Sequence, residues 1–299
     1  MNIAITGGTG LVGEALSSHL VKAGHQVYIL TRNSDDSRSS NPRYIQWLNP
    51  GDSPEKELEG IDAIVNLAGA TINNKWTDEY KQKIIDSRLK ATAEVKRIIE
   101  TLPIKPSVLV NASAVGYYGT SMSQEFTEQS NKGNDFLSET VHQWEGSASE
   151  VQDMGVRPVF CRFGVILDKN YGALPRMVLP YKFFTGGKIG TGKQWLSWIH
   201  IEDVVRGIIF VIENTNVNGP VNFTAPFPVT MDQFGETLSN VLNRPHWMPV
   251  PSFALKILLG EMSILVLEGQ RAIPEKLLNV GFIFKYPELE NALKEIFDK

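Results

Sequence analysis

The chain has 299 residues, 42% of them hydrophobic and 21% charged, a globular balance that excludes a collagen-like, fibrous or wholly disordered polymer. Its 29 Lys and Arg against 33 Asp and Glu leave a formal net charge of −4, so there is no overall positive field to hold a polyanion, and nucleic acid is not an expected partner. One cysteine, Cys161, allows neither an internal disulfide nor a cysteine-rich zinc site, and no metal is expected. Met1 to Thr6 already read as a buried strand rather than a secretion signal, and no apolar run reaches the ~20 residues of a membrane span. The expectation is a cytoplasmic protein that does not enter a membrane.

Apolar runs of strand length alternate with longer amphipathic patterns. Strands are expected at 2–6, 26–31, 43–47, 63–67, 107–112, 157–162 and 221–224. Helices are expected at 11–23, 78–101, 135–154 and 202–213, where apolar residues recur at three- and four-residue spacing. That rhythm belongs to βαβ units, and right-handed crossovers then give a doubly wound parallel sheet. Residues 33–41 are polar enough to form a mobile loop. The segment 164–197, punctuated by Gly172, Gly186, Gly187, Gly190 and Gly192 around a helical patch at 175–184, is expected to leave the sheet and cover its end. After Pro226 and Pro228 helical patterns dominate, at 231–242, 253–267 and 287–297. The fold expected is α/β: a parallel Rossmann sheet over residues 1–225, followed by a small, mainly helical C-terminal domain over 226–299.

The first strand runs into Gly7-Gly8-Thr9-Gly10-Leu11-Val12-Gly13. Gly7 permits a tight turn, Gly10 lets backbone approach a pyrophosphate, and Gly13 allows the helix to press against the strand. The unsatisfied N–H groups and positive dipole end of that helix then face the anion. A glycine-rich turn with no ligand is the bland alternative, but the context is right: the turn follows a strand, opens an amphipathic helix and precedes a second strand ending near residue 31. There a carboxylate would ordinarily bind the ribose hydroxyls. This chain has Thr31-Arg32 instead, and a planar, permanently charged fork suits a 2′-phosphate, so NADP is favoured over NAD. The competing reading of Arg32 is a solvated strand-end residue.

Together with Asn66-Leu67-Ala68-Gly69-Ala70 and the stretch Trp198-Ile199-His200-Ile201-Glu202-Asp203-Val204-Val205, this loop resembles the extended short-chain dehydrogenase/reductase superfamily of NAD(P)-dependent epimerases and dehydratases. Ser113-Ala114-Val115-Gly116-Tyr117-Tyr118-Gly119, Cys161-Arg162-Phe163-Gly164, Asn222-Phe223-Thr224-Ala225-Pro226 and Gly269-Gln270-Arg271-Ala272-Ile273-Pro274 look like its atypical subgroup of epimerase family proteins, which carries its own C-terminal domain. The likeness covers essentially the whole chain. It implies that Gly7, Thr9, Gly10, Leu11, Val12 and Gly13 form the dinucleotide loop and that Thr31 and Arg32 contact the ribose phosphate. It also implies that Leu67, Ala68 and Gly69 lie beside the adenine ribose and central phosphates of NADP(H).

In that superfamily a Tyr with a Lys four residues later is the acid/base couple, and a Ser or Thr polarises the substrate oxygen. The corresponding helix here, Asp135 to Glu145, contains neither Tyr nor Lys; Phe136 with Thr140 and Leu137 with Val141 are the nearest alignments. Candidate replacements are Ser113 at a strand end, Tyr117 and Tyr118 on the following loop, and His142, which shares a helix face with Glu145. Ring packing for the tyrosines and a solvated face for His142 are the alternatives. In the expected mechanism Ser113 and a tyrosine orient a hydroxyl or carbonyl for hydride transfer, with proton exchange through water or His142. Arg88, where related enzymes carry a helix Asn, is either a substrate-anion contact or a surface residue. Trp198 and His200 are candidate substrate contacts near the pocket mouth; the plainer readings are a flap anchor and a backbone hydrogen bond. Arg162, charged at the end of a buried strand, requires a buried partner or a phosphate and is counted with the cofactor contacts. Cys161 reads as a packed side chain. The function expected is that of an NADP(H)-binding oxidoreductase or epimerase acting on a small polar metabolite, sugar nucleotides included. The alternative is a cofactor-sensing protein without turnover, and a homodimer through the C-terminal domain is compatible with either.

Overall fold

The computed structural model describes residues 1–33 and 40–298. The polar loop expected at 33–41 therefore falls, over 34–39, outside the described residues. Seven strands, β1 (Asn2–Thr6), β2 (Gln26–Thr31), β3 (Arg43–Gln46), β4 (Ala63–Asn66), β5 (Val108–Ala114), β6 (Arg157–Phe163) and β7 (Gly219–Phe223), form one sheet in the order β3-β2-β1-β4-β5-β6-β7. Every pairing in it is parallel. The order reverses between β1 and β4, which leaves a crevice beyond the carboxyl ends of these two strands. Ile3, Ala4, Ile5 and Ile64 are fully buried, because a parallel sheet is covered on both faces.

The helices are, in chain order, α1 (Leu11–Lys22), α2 (Asp78–Thr101), α3 (Phe136–Ser149), α4 (Leu174–Lys182), α5 (Ile201–Glu213), α6 (Met231–Leu242), α7 (Ser252–Leu259), α8 (Ile264–Leu267), α9 (Glu275–Asn279) and α10 (Leu289–Phe297). One face of the sheet is covered by α1 and α5, whose Leu16, Leu20, Val204 and Ile208 share a core with Ile3, Ile5 and Val110. The other is covered by α2 and α3, through Val95, Ile98, Ile99 and Ala148 against Ala4, Ile64 and Leu109. Helix starts are set by side chains: Thr77 accepts the Tyr80 N–H to begin α2, and Asp135 accepts the Ser138 N–H to begin α3.

The segment 164–197 lies outside the seven-stranded sheet and carries α4. Its Leu174 and Val178 join Phe234, Leu238 and Leu293 of the C-terminal helices, with fully buried Trp198, in a third core. Two short strand pairs, Val165–Leu167 with Trp198–His200 and Trp195–Leu196 with Val229–Thr230, hold that lobe together. Further along, Arg271–Ala272 pairs with Glu125–Phe126, and Leu277 and Phe282 pack into the core beneath the sheet.

Two expected helices are shorter than their apolar patterns. The run 253–267 breaks into α7 and α8 because Gly260 adopts a φ of +59°. The run 135–154 ends as α3 at Ser149 and continues as a tighter turn over Glu150–Met154.

The start of α6 is a reciprocal cap. Thr230 accepts the Gln233 N–H and the Gln233 side chain accepts the Thr230 N–H. Thr230→Ala should lower unfolding stability in urea by about 1 kcal/mol, whereas Thr230→Ser should stay close to the wild type.

Candidate functional site

The crevice is built by main chain that side chains would push apart. Gly7 has φ +65°, and a Cβ there would sit 2.8 Å from the Leu67 carbonyl; a Cβ on Gly13 would lie 2.4 Å from the Gly7 oxygen. The turn is closed by the Gly10 N–H donating to the Gly7 carbonyl at 3.0 Å. Gly10 caps α1 without a side-chain hydrogen bond, so no side chain of the cap competes with an anion for the first-turn amides. Thr6 fixes the opposite rim. Its hydroxyl donates to Asn66 at 2.6 Å and accepts the N–H groups of Leu67 and Ala68 at 3.0 and 3.1 Å. Behind it, the buried Asn66 amide donates to Asn111 and Thr92. A cradle that leaves no room for Cβ atoms and presents backbone amides suits a dinucleotide diphosphate.

Beyond the cradle opens a cavity of about 540 Å³. The loop contributes Gly7, Gly10, Leu11, Val12 and Gly13, and Leu67 comes from the chain just after β4. One wall is the inner face of α3, with Leu137, Thr140, Val141 and Trp144, while Arg88 reaches in from α2. Ser113 lines the floor, and Ile264 and Leu265 come from α8. Leu137 and Val141, one of the alignments of the missing Tyr/Lys couple, thus face the cavity as hydrocarbon.

Under the floor lies a chain of buried polar groups. Ser113 donates to Glu145 at 2.5 Å, and Glu145 accepts two hydrogen bonds from Arg162, at 2.9 and 2.8 Å. The third bond of Arg162 goes to the Tyr118 oxygen at 2.9 Å, and Tyr118 donates to Asn222 at 2.6 Å. Burial pushes the Tyr118 phenol up to about 12, against the pull of the Arg162 charge. Burial works against the Arg162 charge, but Glu145 and Tyr118 outweigh it and raise the guanidinium above its ordinary value. Burial also pushes the Glu128 carboxyl up, although it accepts the Asn222 and Lys276 N–H groups.

Several expected site residues are therefore corrected. Arg162, counted with the cofactor contacts, is paired with Glu145 instead, which is the cheaper way to satisfy a charge only 3% exposed. Tyr118 is locked in the same network, and the Tyr117 ring lies 3.5 Å from the Arg162 guanidinium as a flat cover for it. His142 is exposed, and neither it nor the two tyrosines borders the cavity. Trp198 is core, with its indole N–H on the Phe227 carbonyl. His200 caps α5 by accepting the Glu202 N–H, faces Glu295 at 3.2 Å, and has its pKa lowered chiefly by burial.

Arg88 and Ser113 do reach the cavity. Thr31 ends β2, and Arg32 follows it, exposed. Thr9, Ala68 and Gly69 stand just outside the cavity lining, on the loop and after β4. Glu145 is the partner that sequence reasoning missed; the signal was Arg162 itself, a charge in a buried strand that demanded a carboxylate. Among the described residues no group of three or more His, Cys, Asp or Glu is arranged to hold a metal ion, and no helix is long and apolar enough to cross a membrane.

The sheet order, the glycine cradle and the crevice at the strand reversal define a Rossmann-type dinucleotide fold. Residues 3–143 match the NAD dependent epimerase/dehydratase family, and residues 250–296 match a domain of unknown function, DUF1731. The chain is 52% identical to "Epimerase family protein YfhF" of Bacillus subtilis over 99% of its own length and 98% of that protein's. It is 45% identical to "Epimerase family protein SSP1921" of Staphylococcus saprophyticus over 98% of each chain. Among solved structures, a human epimerase family protein, SDR39U1 isoform 2 with NADPH, superposes with a TM-score of 0.89 at 34% identity, over the full length of both chains. The chain belongs to the epimerase family proteins of the NAD-dependent epimerase/dehydratase family.

Two outcomes follow from the buried groups. Arg162→Met leaves Glu145 an unpaired interior charge and should cost about 3–5 kcal/mol in urea unfolding, and adding Glu145→Met should recover a large part of that loss. His200 has a folded pKa below its ordinary 6.5, so the unfolded chain takes up the proton first as pH falls. Its contribution to stability is whole above about 6.5 and is lost progressively below it. His200→Asn, which keeps a capping side chain, should flatten the decline between pH 7 and 5 in melting temperature.

Proposed function

We propose that the protein binds NADP(H) along the crevice and acts as an oxidoreductase or epimerase on a small metabolite held in the cavity. The observation that carries this reading is the cradle, in which Gly7 and Gly13 have no space for a side chain and the first turn of α1 has no side-chain cap. The NADPH in the solved structure of the human relative supports it. So does Arg32, which stands exposed at the end of β2 where a 2′-phosphate would need a guanidinium. In this reading Gly7, Thr9, Gly10, Leu11, Val12 and Gly13 hold the diphosphate, and Thr31 and Arg32 hold the ribose phosphate. Leu67, Ala68 and Gly69 give the cofactor a flat backbone surface.

A bound nicotinamide supplies reversible hydride chemistry. The chain supplies position. Because Ser113 already donates its hydrogen to Glu145, its oxygen offers lone pairs to the cavity, and it orients a substrate hydroxyl by accepting from it. A second reading, a sensor that binds NADP(H) without turnover, is favoured by the hydrocarbon faces of Leu137 and Val141. Stopped-flow measurement of bound NADPH against a panel of carbonyl metabolites separates them: consumption means an enzyme, and stable fluorescence throughout means a sensor.

By isothermal titration, Arg32→Asp should weaken NADPH at least tenfold, about 1.4 kcal/mol, and leave NADH nearly unchanged. Equal losses for both would remove the role given to Arg32.

A further inference from the structure

The wall formed by α2 and α3 has the wrong chemistry for a sugar. Leu137 and Val141 are hydrocarbon, and Ile84 joins them from α2. The polar hydrogens on this wall are already engaged. Thr140 donates to the Phe136 carbonyl at 2.7 Å, the Trp144 indole to Thr92 at 3.1 Å, and Ser113 at the floor to Glu145. A ligand rich in hydroxyl groups would lose its water here and recover few hydrogen bonds.

Arg88 is the exception. It is half-buried, its aliphatic stem rests 3.3 Å from where a Cβ of Gly69 would stand, and its guanidinium lies 5.0 Å from the Trp144 ring centre. One terminal nitrogen, Nη1, donates to the carbonyls of Ala70 at 3.2 Å and Ile84 at 2.9 Å. Among the described residues no carboxylate lies within 4.0 Å to neutralise it, and the hydrogen bonds of its guanidinium to protein are the two from Nη1. The carboxylates that also border the cavity are engaged elsewhere: Asp135 caps α3, and Glu268 accepts from Thr120 at the exposed rim. Burial lowers the Arg88 guanidinium to about 10, a cost that an anion brought beside it would offset.

We propose that the substrate is a carboxylate with an apolar body, its carboxylate gripped by the free edge of the Arg88 guanidinium and its hydrocarbon laid along Leu137, Val141 and Ile84. One unpaired cation on an otherwise apolar wall matches one negative charge, and the planar fork matches a carboxylate in particular. This rests on the reading of the cavity as a substrate site beside NADP(H), and its test is arranged so that the two can fail separately.

Octanoate, 1-octanol and UDP-glucose are titrated calorimetrically into the full-length protein with and without saturating NADPH, and NADPH is titrated alone. The expected result is that octanoate binds at least tenfold tighter than 1-octanol and tighter than UDP-glucose. Arg88→Met should weaken octanoate at least tenfold, with Arg88→Lys between the two. Octanoate no tighter than octanol, an Arg88→Met affinity equal to wild type, or UDP-glucose as the tightest of the three would overturn the proposal. Should Arg88→Met fail to fold, the comparison of octanoate with octanol on the wild type decides alone. Failure of NADPH to bind sinks the cofactor reading, while the octanoate titration without NADPH still tests Arg88.

Discussion

The site depends on one interior ion pair. Glu145 on α3 and Arg162 on β6 meet through two hydrogen bonds, with side chains 9% and 3% exposed. Two charges removed from water this completely must face each other, so α3 can dock on the sheet in only one rotation about its axis. Residues four apart share a helix face, and fixing Glu145 therefore directs Val141 and Leu137 along the same side, into the cavity. A second tie, from the Trp144 indole to Thr92 of α2, holds the helix against its neighbour. Such a pair adds little net stability compared with a hydrocarbon replacement. Its effect here is to choose which residues become the wall.

Those parts of the molecule whose code is local were legible in the sequence. The glycine loop is legible because Gly7 takes a positive φ and a side chain on Gly13 would strike Gly7 itself, six residues back in the chain. The strands are legible because a sheet covered on both faces needs continuous apolar runs. Features that depend on distant partners were not. Arg162 finds Glu145 seventeen residues away on another element, and nothing in either stretch says which carboxylate will arrive. Trp198 and His200 follow the glycine-rich flap closely in sequence, yet the short strand they occupy turns Trp198 into the lobe core and leaves His200 to begin α5. The apolar pattern at 253–267 was continuous, but one left-handed residue at Gly260 divided it.

The cavity is also where fold and chemistry part company. A Rossmann crevice specifies a place for a dinucleotide and says nothing about what stands opposite it. In this chain the strand ends keep the cradle intact, while the helix that would carry a phenol and an ammonium presents Leu137 and Val141. The hydroxyl nearest the floor, that of Ser113, is oriented by a carboxylate and so accepts rather than donates. The groups that shape the cradle and those that face the cavity thus lie on different elements, so either set can change without the other.

A reaction in this cavity must then be one whose proton does not need a side chain of α3. If Glu145 took the proton through Ser113, the Arg162 charge would lose its partner in the interior, a change that costs several kcal/mol. Tyr118, the nearest buried phenol in that network, already donates to Asn222 and has its pKa pushed up by burial, which makes it a poor proton donor at neutral pH. What remains is solvent entering at the exposed rim beside Thr120 and Glu268, or a group carried by the ligand itself. A carboxylate set on Arg88 would bring such a group into the cavity beside a guanidinium that balances its charge.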